Sequence, residues 1–152
     1  MRASPWSPFE IGRAYNSGTA RVQLIRLPSF ETPVFWEVCQ RGDEWLLYSS
    51  TVVGNGWPAV RVQGYELTAF SSEALRGYFD RLTSRSFRIA PHLKDFVGLD
   101  GTLTHLTLFG GGYSQVRFQW WSDPPKNWKP MVTIANEMLA AFGQAAGNGQ
   151  GR

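Results

Sequence analysis

The chain has 152 residues, 43% hydrophobic and 14% aromatic, with 15 Lys plus Arg against 12 Asp plus Glu for a formal net charge of +3. That length fits a single domain whose core needs no disulfide, and so small an excess of base excludes the electrostatic footprint of a nucleic-acid binder. Cys39 is the single cysteine, so an internal disulfide is excluded and a reducing compartment is favoured. Residues 1–8 lack an apolar signal core and no apolar run reaches membrane-span length, so the expectation is a cytoplasmic protein that touches no membrane.

Residues 1–18 carry Pro5, Pro8, Gly12 and Gly18 without a sustained period and read as an N-terminal arm. Residues 19–27 alternate, with Ala20, Val22 and Leu24 on one face and Arg21 and Gln23 on the other, which predicts a strand. Pro28 and Pro33 bracket a loop, and residues 34–41 alternate again, with Val34, Trp36 and Val38 opposed to Glu37, Cys39 and Arg41. Gly42-Asp43 is a short turn into an aromatic and β-branched run over 44–53, a third strand. Such short connections make antiparallel neighbours. Gly54-Asn55-Gly56 ends that run, and residues 60–67 read either as a fourth strand or as an irregular connection.

Ser71 or Ser72 then caps a helix whose buried stripe is Ala74, Leu75, Tyr78, Phe79 and Leu82. Gly77 weakens that helix by up to about 1 kcal/mol, a cost that close packing on the sheet would explain. Asp100-Gly101 opens a further strand, and Gly110-Gly111-Gly112 turns it into its partner. A strand follows those glycines, not a helix, so they form a hairpin turn needing positive φ angles and not a phosphate loop. Leu106, Leu108, Val116, Phe118 and Trp120 form the core face of this hairpin. A one-residue slip would bury Arg117 and Gln119, so the register is specified. Pro130 suits a first helical turn, Val132, Ala135, Met138, Leu139 and Phe142 give the last helix its stripe, and Gly143 stops it. Residues 1–142 thus form one domain and residues 143–152 a disordered tail. The strand and helix blocks predict an α+β fold: a mainly antiparallel sheet of five or six strands with two amphipathic helices packed on one face, the other face partly open.

The chemistry-bearing residues form no recognised constellation. His92 and His105 share no metal-ligand spacing with each other or with Cys39, so no metal site and no cofactor are expected. No Gly-x-Ser-x-Gly elbow supports a catalytic triad, and no catalytic residue is assigned. Cys39 shares a strand face with Arg41, which would lower a thiol pKa, yet a small buried hydrophobe is the simpler role. Arg76, Arg81, Arg85, Arg88 and Lys94 are the densest basic stretch, with Arg76 and Asp80 placed to pair and Arg81 and Arg85 one turn apart on a solvent face.

The outward face of the hairpin is the candidate docking surface. Tyr113, Gln115, Arg117 and Gln119 alternate with the core residues, Trp121 joins them, and His105 is expected opposite Arg117. Tyr, Trp and Arg are the types that anchor protein interfaces. With Arg81 and Arg85 these six residues make the expected partner-binding set.

The run Leu99-Asp100-Gly101-Thr102, a strand, a Gly-rich turn, a strand ending in Trp120-Trp121, then Trp128-x-Pro130 and an amphipathic helix resembles a pattern in small bacterial α+β proteins. Some of these are immunity partners of delivered toxins. The resemblance covers the last third of the chain, rests on structural residues and carries over no catalytic residue. It implies a non-enzymatic inhibitor that occludes a toxin or effector, as a monomer or homodimer. Nuclease inhibitors are usually acidic, so the slightly basic charge points away from a strongly basic nuclease as target. The rival expectations are a small enzyme or ligand-binding module with a site near His105, Arg117 and Cys39, and an adaptor or chaperone for a secreted effector.

Overall fold

A computed structural model describes residues 18–53, 61–86, 101–111 and 114–149, with only the backbone described at 51–53, 61–63 and 149. The expected arm lies outside these residues apart from Gly18. Six strands form one antiparallel sheet: β1 (Thr19–Pro28), β2 (Val34–Arg41), β3 (Glu44–Val53), β4 (Arg61–Thr68), β5 (Thr102–Phe109) and β6 (Gln115–Trp121), in the order β4-β3-β2-β1-β5-β6. The run over 61–68 is therefore a strand and not an irregular connection. Helix α1 (Ser72–Thr83) links β4 to β5, and α2 (Lys129–Gly149) follows a single 3-10 turn over Lys126–Trp128.

The first four strands are an antiparallel meander, and β2 and β3 are joined by a two-residue turn. Gly42, at φ 61, takes a conformation L side chains avoid, and it lets Arg41 pair directly with Glu44. β1 departs from strict alternation. A bulge between Ala20 and Val22 leaves Ala20 opposite Cys39 and Val22 opposite Val38, so Ala20 joins the face of Cys39, not that of Val22 and Leu24.

Both helices cover the face bearing Val22, Leu24, Trp36, Val38, Leu47, Leu106, Phe118 and Trp120, all buried. Two ring pairs fix the course of α2 across the strands: Trp128, just before it, meets Phe118 of β6 edge-on at 5.3 Å, and Phe142, near its end, meets Trp36 of β2 at 5.6 Å. Ser71 caps α1, accepting from the Ala74 amide at 3.2 Å. Leu75 and Leu82 are its fully buried residues, Tyr78 and Phe79 are half-buried, and Ala74 is exposed, so the buried stripe is narrower than the spacing suggests. A Cβ at Gly77 would meet nothing within 4 Å, so close packing does not explain that glycine.

α2 does not stop at Gly143. It runs on to Gly149, which leaves only 150–152 of the expected tail outside the described residues. An exposed Gly143 without a Cβ contact lowers helix propensity locally, and the packing of Phe142 and Ala146 on the core outweighs that cost.

Candidate functional site

The face of the sheet away from the helices is an interior, not a wet surface. Gln23, Glu37, Cys39, His105 and Thr107 lie on it, each 2% exposed or less, together with the buried Ile25 and Phe35. Register sets them in rows. Tyr48, Glu37, Gln23, Thr107 and Arg117 stand side by side on β3, β2, β1, β5 and β6; Phe35, Ile25, His105 and Gln119 form the next row. Alternation assigned these positions to solvent because their side chains are polar. Gln23, Glu37 and Cys39 bond to one another there, which offsets the cost of burying polar groups.

Glu37 is the hub. Its Oε2 accepts from Gln23 Nε2 at 2.5 Å and its Oε1 accepts from Cys39 Sγ at 3.3 Å. Buried polar groups persist only when paired in this way. Arg41 plays no part in this cluster: its guanidinium holds Glu44 at 2.8 Å on the exposed turn, and that contact raises its own pKa. Cys39 is thus a fully buried thiol that donates to a carboxyl group. Burial also raises the Tyr48 phenol above its ordinary range, with the Cys39 thiol adding to the shift.

His105 lies opposite Gln119, not Arg117, because the hairpin closes with Phe109 opposite Gln115. The loop is one residue pair longer than expected. Gly110 donates to the Ser114 carbonyl at 2.9 Å, and a Cβ at Gly110 would collide with Ser114 Oγ. Gly110 and Gly111 do not have positive φ, so the expected left-handed turn is not what places glycine there. Burial, with the Arg117 charge second, pulls the His105 pKa down to about 4. The imidazole is neutral at pH 7 and inside the fold, so it makes no surface contact with a partner.

The rest of the expected docking set divides. Gln115, Arg117 and Gln119 are exposed on β6, a terminal strand of the sheet, and Trp121 is half-buried beside them. Arg117 is anchored at its base, where Nε donates to Thr107 Oγ1 at 3.2 Å. Tyr113 lies outside the described residues, as do His92, Arg88 and Lys94. Arg81 is engaged within the fold: it holds Glu137 of α2 at 2.6 Å, which raises its pKa and lowers that of Glu137, and its guanidinium lies 5.8 Å from the Tyr78 ring centroid. Arg76 meets Asp80 at 3.7 Å with both side chains exposed, as their spacing predicts, a pair worth little to stability. Arg85 is exposed and stands apart from β6 at the end of α1.

Sequence reasoning missed a groove on the helix side, beneath α2. It has a volume of about 820 Å³, and Trp36 and Trp120 lie in its wall. Its residues come from four strands, one helix and the connection after β6, and no local motif announces such a site. Among the described residues no group of three or more His, Cys, Asp or Glu is placed to hold a metal ion, and no helix is long and apolar enough to cross a membrane.

The class defined by this geometry is an α+β protein with a six-stranded antiparallel sheet and two helices on one face. No protein-family model matches the chain, and no curated protein or solved structure does either.

Proposed function

We propose that the chain is a non-enzymatic protein-binding protein of the immunity type, which occludes the active site of a toxin or effector through the outward side of β6. The observation that carries this reading is the exposure of Gln115, Arg117 and Gln119 along a terminal strand; Val116, expected in the core, is 50% exposed but on the opposite, helix-side face. A strand at a sheet end offers backbone groups for pairing as well as side chains. The bond from Arg117 Nε to Thr107 restrains its guanidinium, which lowers the entropy lost when it docks. Chains that blunt their edges place Lys or Pro there, and β6 carries neither.

The test is recovery of a partner by tagged protein from the native host and from lysates of neighbouring strains, at moderate salt. One stoichiometric protein should co-elute, and Arg117→Ala should weaken it by at least about 2 kcal/mol. Gln119→Arg, which leaves the Thr107 bond in place, should weaken it too. A clean column from every lysate, or undiminished capture by both variants, sinks the reading.

A further inference from the structure

Among the described residues Phe30 is the most exposed large hydrophobic side chain, at 84%. It stands in the connection between β1 and β2, and Glu31 beside it is exposed too. The base of that connection is tied to the start of β5. Ser29 donates to the Gly101 carbonyl through its amide and through its hydroxyl, both at 2.9 Å. The same Oγ accepts from the Gly101 amide at 3.1 Å. On the far side of the connection Pro33 fixes one φ angle. A single exposed ring is ordinary on a protein surface, but one on a braced connection loses less freedom when it docks.

The groove beside α2 reaches the same end of the sheet. Arg26 and Val34, the register pair nearest the connection, line it, and so does Thr102, the neighbour of Gly101. Trp36 lies on the same strand face as Val34, and Leu139 of α2 lines the same space. Among the described residues no carboxylate lines the groove, and Arg26 is exposed. Neither Arg26 nor Glu31 forms an ion pair among those residues.

The connection and the groove are therefore complementary. Phe30 offers a ring where Val34, Trp36 and Leu139 offer carbon, and Glu31 offers the carboxylate that Arg26 lacks. At 84% exposure Phe30 does not sit in the groove of its own chain. Both features belong to one end of one chain, so a two-fold axis satisfies each of them twice in a single interface. An unrelated partner that received Phe30 would leave the groove empty.

We propose that two copies of this chain pair by exchanging their β1–β2 connections, each Phe30 ring entering the groove of the other copy and each Glu31 meeting its Arg26. The inference is independent of the β6 reading. The groove lies on the helix side of the sheet, whereas Gln115, Arg117 and Gln119 face the other side.

Sedimentation velocity of the full chain, from micromolar concentration to about 1 mM, tests the exchange. Wild type should show a monomer–dimer equilibrium, and Phe30→Ser should raise its dissociation constant at least about tenfold. Phe30 is exposed, so that variant should keep the wild-type circular dichroism. Arg26→Glu and Glu31→Arg should each weaken the dimer, more so at low salt, and the two together should restore it. A chain that stays monomeric throughout, undiminished dimerisation of Phe30→Ser, or a double reversal no tighter than either single one overturns the proposal. A monomer whose tryptophan fluorescence changes on Phe30→Ser would assign the ring to its own chain's groove, which overturns it as well.

Discussion

The two faces of one sheet are both buried, but by opposite chemistries. On the helix side, Leu24, Trp36, Leu106 and Phe118 pack against α1 and α2, and burial of each large side chain contributes about 1.5–3 kcal/mol. On the other side, neighbours of those same residues, Gln23, Glu37, His105 and Thr107, are just as deeply buried. Gln23, Glu37 and Thr107 take part in directed bonds there, and a directed bond is strong only while both partners remain. Adjacent positions on a strand can therefore obey different rules: one tolerates any side chain of the right volume, the other only the right partner.

The largest expected effect is on the apolar side. Leu24→Ala and Leu106→Ala, each at a site 1% exposed or less, should each lower unfolding free energy by about 2–5 kcal/mol in urea titrations. Gln23→Leu sharpens the contrast. It makes the protein more apolar, yet it strips the Glu37 carboxyl group of its amide donor and should destabilise by about 1–3 kcal/mol. A neutral or stabilising result would make the second face an ordinary apolar layer and break the comparison.

His105 adds a pH dependence. Its folded pKa, near 4, lies below its unfolded value of 6.5, so the unfolded chain binds the extra proton between those values. The neutral imidazole's contribution is complete above pH 6.5 and is lost as pH falls toward 4, on the order of 3 kcal/mol in all. Thermal melts should show wild type losing more stability than His105→Gln across that window, and parallel curves would remove His105 from the interior. The smallest effect is a gain: Gly77→Ala, whose Cβ meets open space, should stabilise by about 0.5–1 kcal/mol in the same titrations.

Much of this fold was legible in the sequence because its signals are local. Gly42-Asp43 marked a turn, Ser71 a cap and Pro130 a first helical turn, each through its own backbone chemistry. Three things were not legible. The bulge at Ala20 reversed a face without any breaker residue, and the helix ran past Gly143 because Phe142 and Ala146 pack on the core. Most consequentially, Gln23 and Glu37 sit far apart in sequence, and nothing near either says that its partner lies across a strand. The outward positions of β6 were read correctly as exposed at Gln115, Arg117 and Gln119. Arg81 was read as a solvent face because Glu137 lies more than fifty residues away.

The buried polar face can be tested directly at Cys39, the single thiol of the chain and 0% exposed. Native protein mixed with a thiol reagent such as dithionitrobenzoate should stay unreacted over hours and release one equivalent of product when urea unfolds it. Rapid stoichiometric reaction of the folded protein would contradict the account and return that side of the sheet to solvent.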